Sequence, residues 1–237
     1  MITLGFDSTA SVASVAVYDG ERVLGEYKID NGLTQSELLL PMAESLMKSL
    51  KLEFSQIELL GVNVGPGSFT GVRIGTALVK GIAFGRNIPC VAVSTLDSLA
   101  KNLFPTQGII CPVMDARRNQ VYNALYHSDG KATVRLTPDR AISLDALAEE
   151  LAEFNEPIYL CADGYEIARK ALSQKGVPLM QTPSALISQS AASVARLALE
   201  LYEAGAAVSD KELSPTYLRL PQAERERLER LGQRVDG

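Results

Sequence analysis

The stretch GVNVGPGSFTGVRIGTALVKGIAFG, residues 61–85, puts glycines at the join between an apolar run and a helix-like run. Backbone amides at such a strand-to-helix turn can cradle an anion, helped by the helix dipole. The details argue against a phosphate. No Lys-Ser/Thr pair follows the last loop glycine, so the Walker pattern fails. Gly65-x-Gly67-x-x-x-Gly71 misses GxGxxG by one residue, and Pro66 lacks one of the donors a phosphate nest needs. Ser68 or Thr70 is explained as a helix cap. Ser68 with His127 suggests a hydrolase, but G-x-S-x-G demands glycine where Thr70 stands. His127 ends a strand run beside Ser128-Asp129-Gly130 and reads as an exposed turn residue. Asp115-Ala116-Arg117-Arg118 could orient a phosphate through adjacent guanidiniums; a hairpin turn with solvated arginines explains it equally well. A single histidine excludes HExxH and every other His-pair metal site. Cys90, Cys111 and Cys161 stand far apart in apolar runs and read as small buried hydrophobes in a reducing cytosol.

The helix after the bend carries the sharper signal. Gly71, Gly75 and Gly81 lie in or at the start of it, and each interior glycine costs about 1 kcal/mol relative to alanine. Gly71 and Gly75 are four apart, and Leu78, Val79 and Ile82 continue that face. A face that begins without side chains lets another backbone come close. That backbone belongs either to a second molecule or to the chain's own sheet, and the residues alone leave both open. Arg73 stands near the helix start, where the dipole disfavours a cation. The expectation is an acidic partner, within the chain or across an interface.

These residues need elements to hold them. Residues 2–6, 12–18 and 22–29 are β-rich runs, the last two separated by an Asp19-Gly20 turn. Thr34-Gln35-Ser36-Glu37 predicts a capping box opening a helix to about Leu50, with Leu39, Met42, Leu46 and Leu50 at helical spacing. Pro41 predicts a kink or a late start in it. Strands follow at 59–65 and 88–93, helices at 70–85 and after Ser94. A second alternation follows: strands 109–115 and 120–127, helix 143–154, strand 158–163, helix 164–175 and a last helix to Gly205. The order predicts an α/β chain in two lobes, with an N-terminal lobe 1–103, a C-terminal lobe 104–213 and a charged, solvated tail 214–237. No run is long and apolar enough to cross a bilayer, and MITLGFDS is no secretory signal. The net charge of −5 leaves no surface suited to binding nucleic acid alone.

FDSTASVASVAVYDG (6–20), LLLPMAESL (38–46), GPGSFTGVRIG (65–75), MDARRNQVYNALY (114–126) and SPTYLRLPQAE (214–224) together resemble the TsaB (YeaZ) family, nearly from end to end. The resemblance implies an actin-like, Hsp70-like ATPase (ASKHA) fold with two related lobes, each a mixed sheet flanked by helices. It implies a non-catalytic, cytoplasmic scaffold for tRNA N6-threonylcarbamoyladenosine formation. Such a scaffold pairs with the catalytic paralogue TsaD, assembles with the ATPase TsaE and meets tRNA through the complex. Pairing in the family uses the first two helices, which favours a partner for the face of Leu39, Met42, Leu46, Gly71, Arg73, Gly75, Leu78, Val79 and Ile82. A homodimer of the isolated chain through that face is compatible with this. The metal-binding HxxxH of relatives is replaced by Gln35-Ser36-Glu37-Leu38-Leu39, so neither metal nor other cofactor is expected, and no catalytic residue is assigned. Asp7-Ser8-Thr9 occupies the family's phosphate-binding turn without the Gly-Thr-Thr of active members: a vestigial nucleotide turn, or simply a strand-end cap. The alternative is an ATP-dependent small-molecule kinase of the same fold.

Overall fold

A computed structural model describes residues 1–32 and 34–219. The strands β1 (Thr3–Asp7), β2 (Ala13–Tyr18) and β3 (Val23–Ile29) form an antiparallel meander, turned at Asp19-Gly20 as the sequence predicts. Helix α1 (Gln35–Leu50), strand β4 (Leu59–Asn63), helix α2 (Phe69–Ala83), strand β5 (Cys90–Val93) and helix α3 (Thr95–Asn102) follow. β4 and β5 add in parallel beside β1, giving the order β3-β2-β1-β4-β5.

The second half comprises β6 (Gln107–Asp115), β7 (Gln120–Asn123), β8 (Tyr126–Asp129), β9 (Thr133–Arg135), β10 (Arg140–Ser143), α4 (Leu144–Leu151), β11 (Ile158–Cys161), α5 (Tyr165–Gln174), β12 (Leu179–Met180), α6 (Ser184–Ile187) and α7 (Ala191–Glu203). Its main path runs β10-β7-β6-β11-β12. β6, β7 and β10 are antiparallel neighbours, while β6, β11 and β12 are parallel. The pairing pattern of the first sheet is therefore repeated, as two related lobes require.

Strand alternation decides which helix covers which face. Leu4, Phe6, Leu60 and Val62 point into a core shared with α1 and α2. On the opposite face Gly5 and Gly61 leave room for α7: a Cβ at Gly5 would lie 2.6 Å from the Ala191 oxygen, and one at Gly61 2.5 Å from the Ala198 Cβ. α7 therefore belongs to the first sheet, although it follows the second. The chain after it stays there: Val208 pairs with Cys90, Leu213 joins the first core, and the Thr216 amide donates to the Val64 oxygen at 2.8 Å. The C-terminal lobe expected over 104–213 thus loses everything from α7 onward. Periodicity reveals that a helix has an apolar face, not which bare sheet it will cover.

Other expectations change in detail. The run 120–127 breaks into β7 and β8, which pair with opposite ends of β6. α1 starts at Gln35 and includes Pro41, so the late start is not seen. Its capping box does not form, because Glu37 Oε2 accepts from the Thr34 hydroxyl at 3.0 Å rather than from the cap amide. The tail is not wholly solvated. Residues 214–219 dock on the fold, while 220–237 lie outside the described residues.

The lobes are fastened together. Leu96 and Leu99 of α3, with Leu103 at its C-cap, pack with Ile110, Met114 and Tyr126 in one apolar cluster. Beside it Arg135 reaches Asp97 and Asp139 at 2.6 Å each, Tyr126 donates to Asp97 at 2.9 Å and Ser94 to Asp139 at 2.9 Å.

Candidate functional site

The glycines of the bend do serve close backbone approach, and the approaching backbone is the chain's own. A Cβ at Gly71 would fall 1.9 Å from the Ser8 oxygen, one at Gly75 2.5 Å from Ser8 Oγ, and one at Gly67 2.4 Å from the Thr9 oxygen. Hydrogen bonds close the contact: Ser8 Oγ donates to the Gly71 oxygen at 2.8 Å, and the Ser68 amide to the Thr9 oxygen at 2.7 Å. Ser68 caps α2 by accepting from the Gly71 amide. Leu39, Met42, Leu46, Val79 and Ile82 are buried in the same core. The expectation that the face led by Gly71 and Gly75 meets a second molecule is overturned for these residues, because that face seals β1 and the turn after it.

α1 and α2 have another side. On α2 Thr70, Arg73, Ala77 and Gly81 are exposed, as is Phe84 at its C-cap, and Ile74 and Leu78 are half-buried. Phe84 is 73 % exposed, and nothing lies within 4 Å of where a Cβ at Gly81 would stand. On α1, Leu40 and Pro41 are exposed beside Glu44, Ser45 and Lys48. Of the nine residues expected to pair, only Arg73 and Leu78 reach this outer side. Sequence reasoning missed Ala77, Phe84 and Leu40, although 70, 74, 77, 81 and 84 repeat at helical spacing. The buried stripe of α2 was so apolar that it took the attention.

Arg73 finds no acid among the described residues. Its Nε donates to the Tyr217 hydroxyl at 2.7 Å, and its guanidinium carbon lies 5.5 Å from the Tyr217 ring centre and 6.0 Å from that of Phe69. Those rings stack 4.7 Å apart.

The cleft between the lobes has a volume of 490 Å³ and is lined by Thr9, Gln35, Ser68, Phe69, Asp115, Arg117 and Asp163, among others. Its phosphate-type turn is consumed internally. Asp7 is fully buried; its Oδ1 accepts from the Thr9 amide and hydroxyl, and Asn63 donates to Oδ2. Burial pushes the Asp7 carboxyl up to about 6 against those hydrogen bonds. Asp7 therefore acts as a strand-end cap, and Thr9 and Ser68 have no amide left to offer an anion. Arg117 is tied to Asp115 at 3.1 Å. Desolvation, with the Asp115 charge nearby, holds Asp163 above the ordinary carboxylate range. Gln35, at the first position of the relatives' metal pair, donates to the Ala10 oxygen at 2.7 Å. No group of three His, Cys, Asp or Glu side chains fit for a metal occurs among the described residues. Cys90 and Cys111 are held as thiols, pushed up to about 11 and 12 by burial.

Residues 34–226 match the family described as "TsaD: tRNA N6-adenosine threonylcarbamoyltransferase". The Bacillus subtilis tRNA threonylcarbamoyladenosine biosynthesis protein TsaB is 34% identical over 158 residues, 67% of this chain and 69% of that protein. The chain belongs to the TsaB family. Escherichia coli TsaB matches at 24% identity over 92% of this chain and 95% of its own length. YeaZ from Pseudomonas aeruginosa superposes with a TM-score of 0.76 at 23% identity, covering 92% of this chain and 99% of YeaZ. The ethanolamine utilization protein EutJ from Carboxydothermus hydrogenoformans superposes at 0.52 with 12% identity, over 85% of this chain and 90% of EutJ. Together with the repeated sheet, these likenesses give the TsaB-family chain an actin-like ATPase fold. No helix among the described residues is long and apolar enough to cross a membrane.

Proposed function

We propose that the chain is a non-catalytic, cytoplasmic subunit for threonylcarbamoyladenosine formation on tRNA. In this reading it pairs with a TsaD-type catalytic paralogue through the outer side of α1 and α2 and joins a TsaE-type ATPase in a larger assembly. One observation carries the docking surface: α2 and its C-cap leave Ala77, Gly81 and Phe84 exposed along one side, with Ile74 and Leu78 half-buried between them. An exposed apolar stripe with a bare glycine suits close packing against a second helix pair. The TsaD-type partner is part of the proposal; what supports it is that this chain matches the threonylcarbamoyltransferase family over residues 34–226, as a paralogue of such a partner would. The chemistry is assigned to the partner because the cleft here offers spent amides and two carboxylates, Asp115 and Asp163, where an active relative needs anion donors. The kinase alternative loses its motivation on the same ground. A homodimer of the isolated chain would use this outer side as a substitute.

The test is reconstitution. The partner, threonylcarbamoyl-AMP and tRNA are assayed for modified adenosine with and without this chain, and with an Ala77→Arg variant at the exposed position of the stripe. Stimulation by the wild type, none by the variant, and no turnover by the chain alone are expected. Turnover without the partner, or equal stimulation by Ala77→Arg, overturns the reading.

A further inference from the structure

Arg73 is the one cation of α2 whose charged group is not used up inside the described fold. Lys80 is committed to the Lys211 and Leu213 oxygens, and Arg86, just beyond the helix, to the Ile82 oxygen. Arg73 is exposed, and among the described residues the only hydrogen bond of its side chain is the one from Nε to Tyr217. That bond, with the stacked Phe69 and Tyr217 rings beside the guanidinium, fixes the plane of the fork and leaves both Nη groups unspent. The position is unfavourable for a cation by itself, near the positive end of the α2 dipole. A planar fork held by one edge is set for two parallel bonds to a carboxylate, and little side-chain freedom remains to be lost on binding.

We propose that Arg73 is a preset receptor for a carboxylate on the partner's docking face, resting on the pairing reading above. A protein carboxylate fits better than a nucleic-acid phosphate. The exposed positions of the two helices are apolar and mixed in charge, with Ala77 on α2 and Glu37, Glu44 and Lys48 on α1. A phosphate backbone would call for several clustered cations. The Tyr217 clasp also explains why residues 214–219 dock: Thr216 is pinned to Val64, Tyr217 to Arg73, and Arg219 to Ala116 and Gln120. The segment 214–219 thereby presents the arginine.

The experiment measures the affinity of the full-length chain for its TsaD-type partner by calorimetry at low and high salt. Arg73→Ala is expected to weaken binding about 10- to 100-fold and to flatten the salt dependence. Arg73→Lys should recover only part of that loss, because a point charge cannot make the two-bond contact. Tyr217→Phe, which removes only the clasping hydroxyl, should weaken binding several-fold. Ala77→Arg, at an exposed position of the same face, separates the two ideas. If it abolishes pairing while Arg73→Ala binds like the wild type, the receptor is refuted and the docking face stands. If Ala77→Arg also binds normally, the docking face falls first. An Arg73→Met variant with wild-type affinity would reduce the contact to apolar packing and overturn the receptor. So would a defect in tRNA binding by the complex with pairing intact, since the anion would then be phosphate.

Discussion

Two identical substitutions on one helix should change stability in opposite directions. At Gly71 an added Cβ would stand 1.9 Å from the Ser8 backbone oxygen, far inside van der Waals contact. Neither backbone can yield without disturbing the 2.8 Å bond from Ser8 Oγ to the Gly71 oxygen or the 2.7 Å bond from the Ser68 amide to the Thr9 oxygen. Overpacking of this kind costs about 1–3 kcal/mol, and a buried polar group left unsatisfied costs about 1–3 kcal/mol more. Alanine recovers only about 1 kcal/mol of helix propensity. Gly71→Ala should therefore lose about 3 kcal/mol net, or roughly 6–12 °C in Tm for a chain of this size. At Gly81 no atom lies within 4 Å of the added methyl, so the propensity gain of about 1 kcal/mol stands alone, worth roughly 2–4 °C. Gly75→Ala should fall between them, since the nearest atom is the Ser8 hydroxyl, a side-chain atom that can turn aside. Urea and thermal denaturation of the three variants decide it. A Gly71→Ala protein as stable as the Gly81→Ala protein would refute the claim that the glycine-led face packs on the chain's own turn.

Three further outcomes follow from the same geometry. Arg135→Ala strands Asp97 and Asp139 between the lobes; breaking a fully buried pair costs about 3–5 kcal/mol, and partial exposure should reduce this to about 2, read from urea midpoints. Asp7 carries a folded-state value near 6 against an ordinary 3.8. Its contribution is complete below pH 3.8 and is lost as pH rises through 6. Relative to the wild type, Asp7→Asn should thus gain about 2 kcal/mol between roughly pH 4.5 and 7.5; an unchanged difference over that range would show that Asp7 titrates normally. Calorimetry of the isolated chain with Mg-ATP should register no binding heat, since Thr9 and Ser68 have already committed their amides; tight binding would restore the kinase alternative.

Much of the fold is legible in the residues because local rules act alone there. Asp19-Gly20 turns β2 into β3, and Ser68 caps α2, each through contacts a few residues long. The second sheet was harder to read. Ala124 and Leu125 continue the apolar run of 120–127, and only the different partners of β7 and β8 divide it. α7 shows the same limit on a larger scale: Ala191, Ala195 and Ala198 announce a face, while the bare strand positions that receive it, Gly5 and Gly61, lie more than a hundred residues earlier. At the candidate site, Gly71 and Gly75 correctly announced backbone approach but could not say whose backbone. The motif's own specificity then drew the expected pairing face onto residues of α2 that the chain's own turn covers. The Arg73–Tyr217 clasp was illegible because the residues are 144 apart and neither type demands the other.

The most direct measurement is the mass of an equimolar mixture of this chain and its TsaD-type partner by sedimentation equilibrium, for the wild type and for Ala77→Arg. Ala77 is exposed on the outer stripe of α2 and away from the sealed face, so arginine there should leave the monomer folded and block helix packing. A one-to-one complex for the wild type and separate monomers for Ala77→Arg are predicted. A full complex with Ala77→Arg, or no complex with the wild type, would contradict the account.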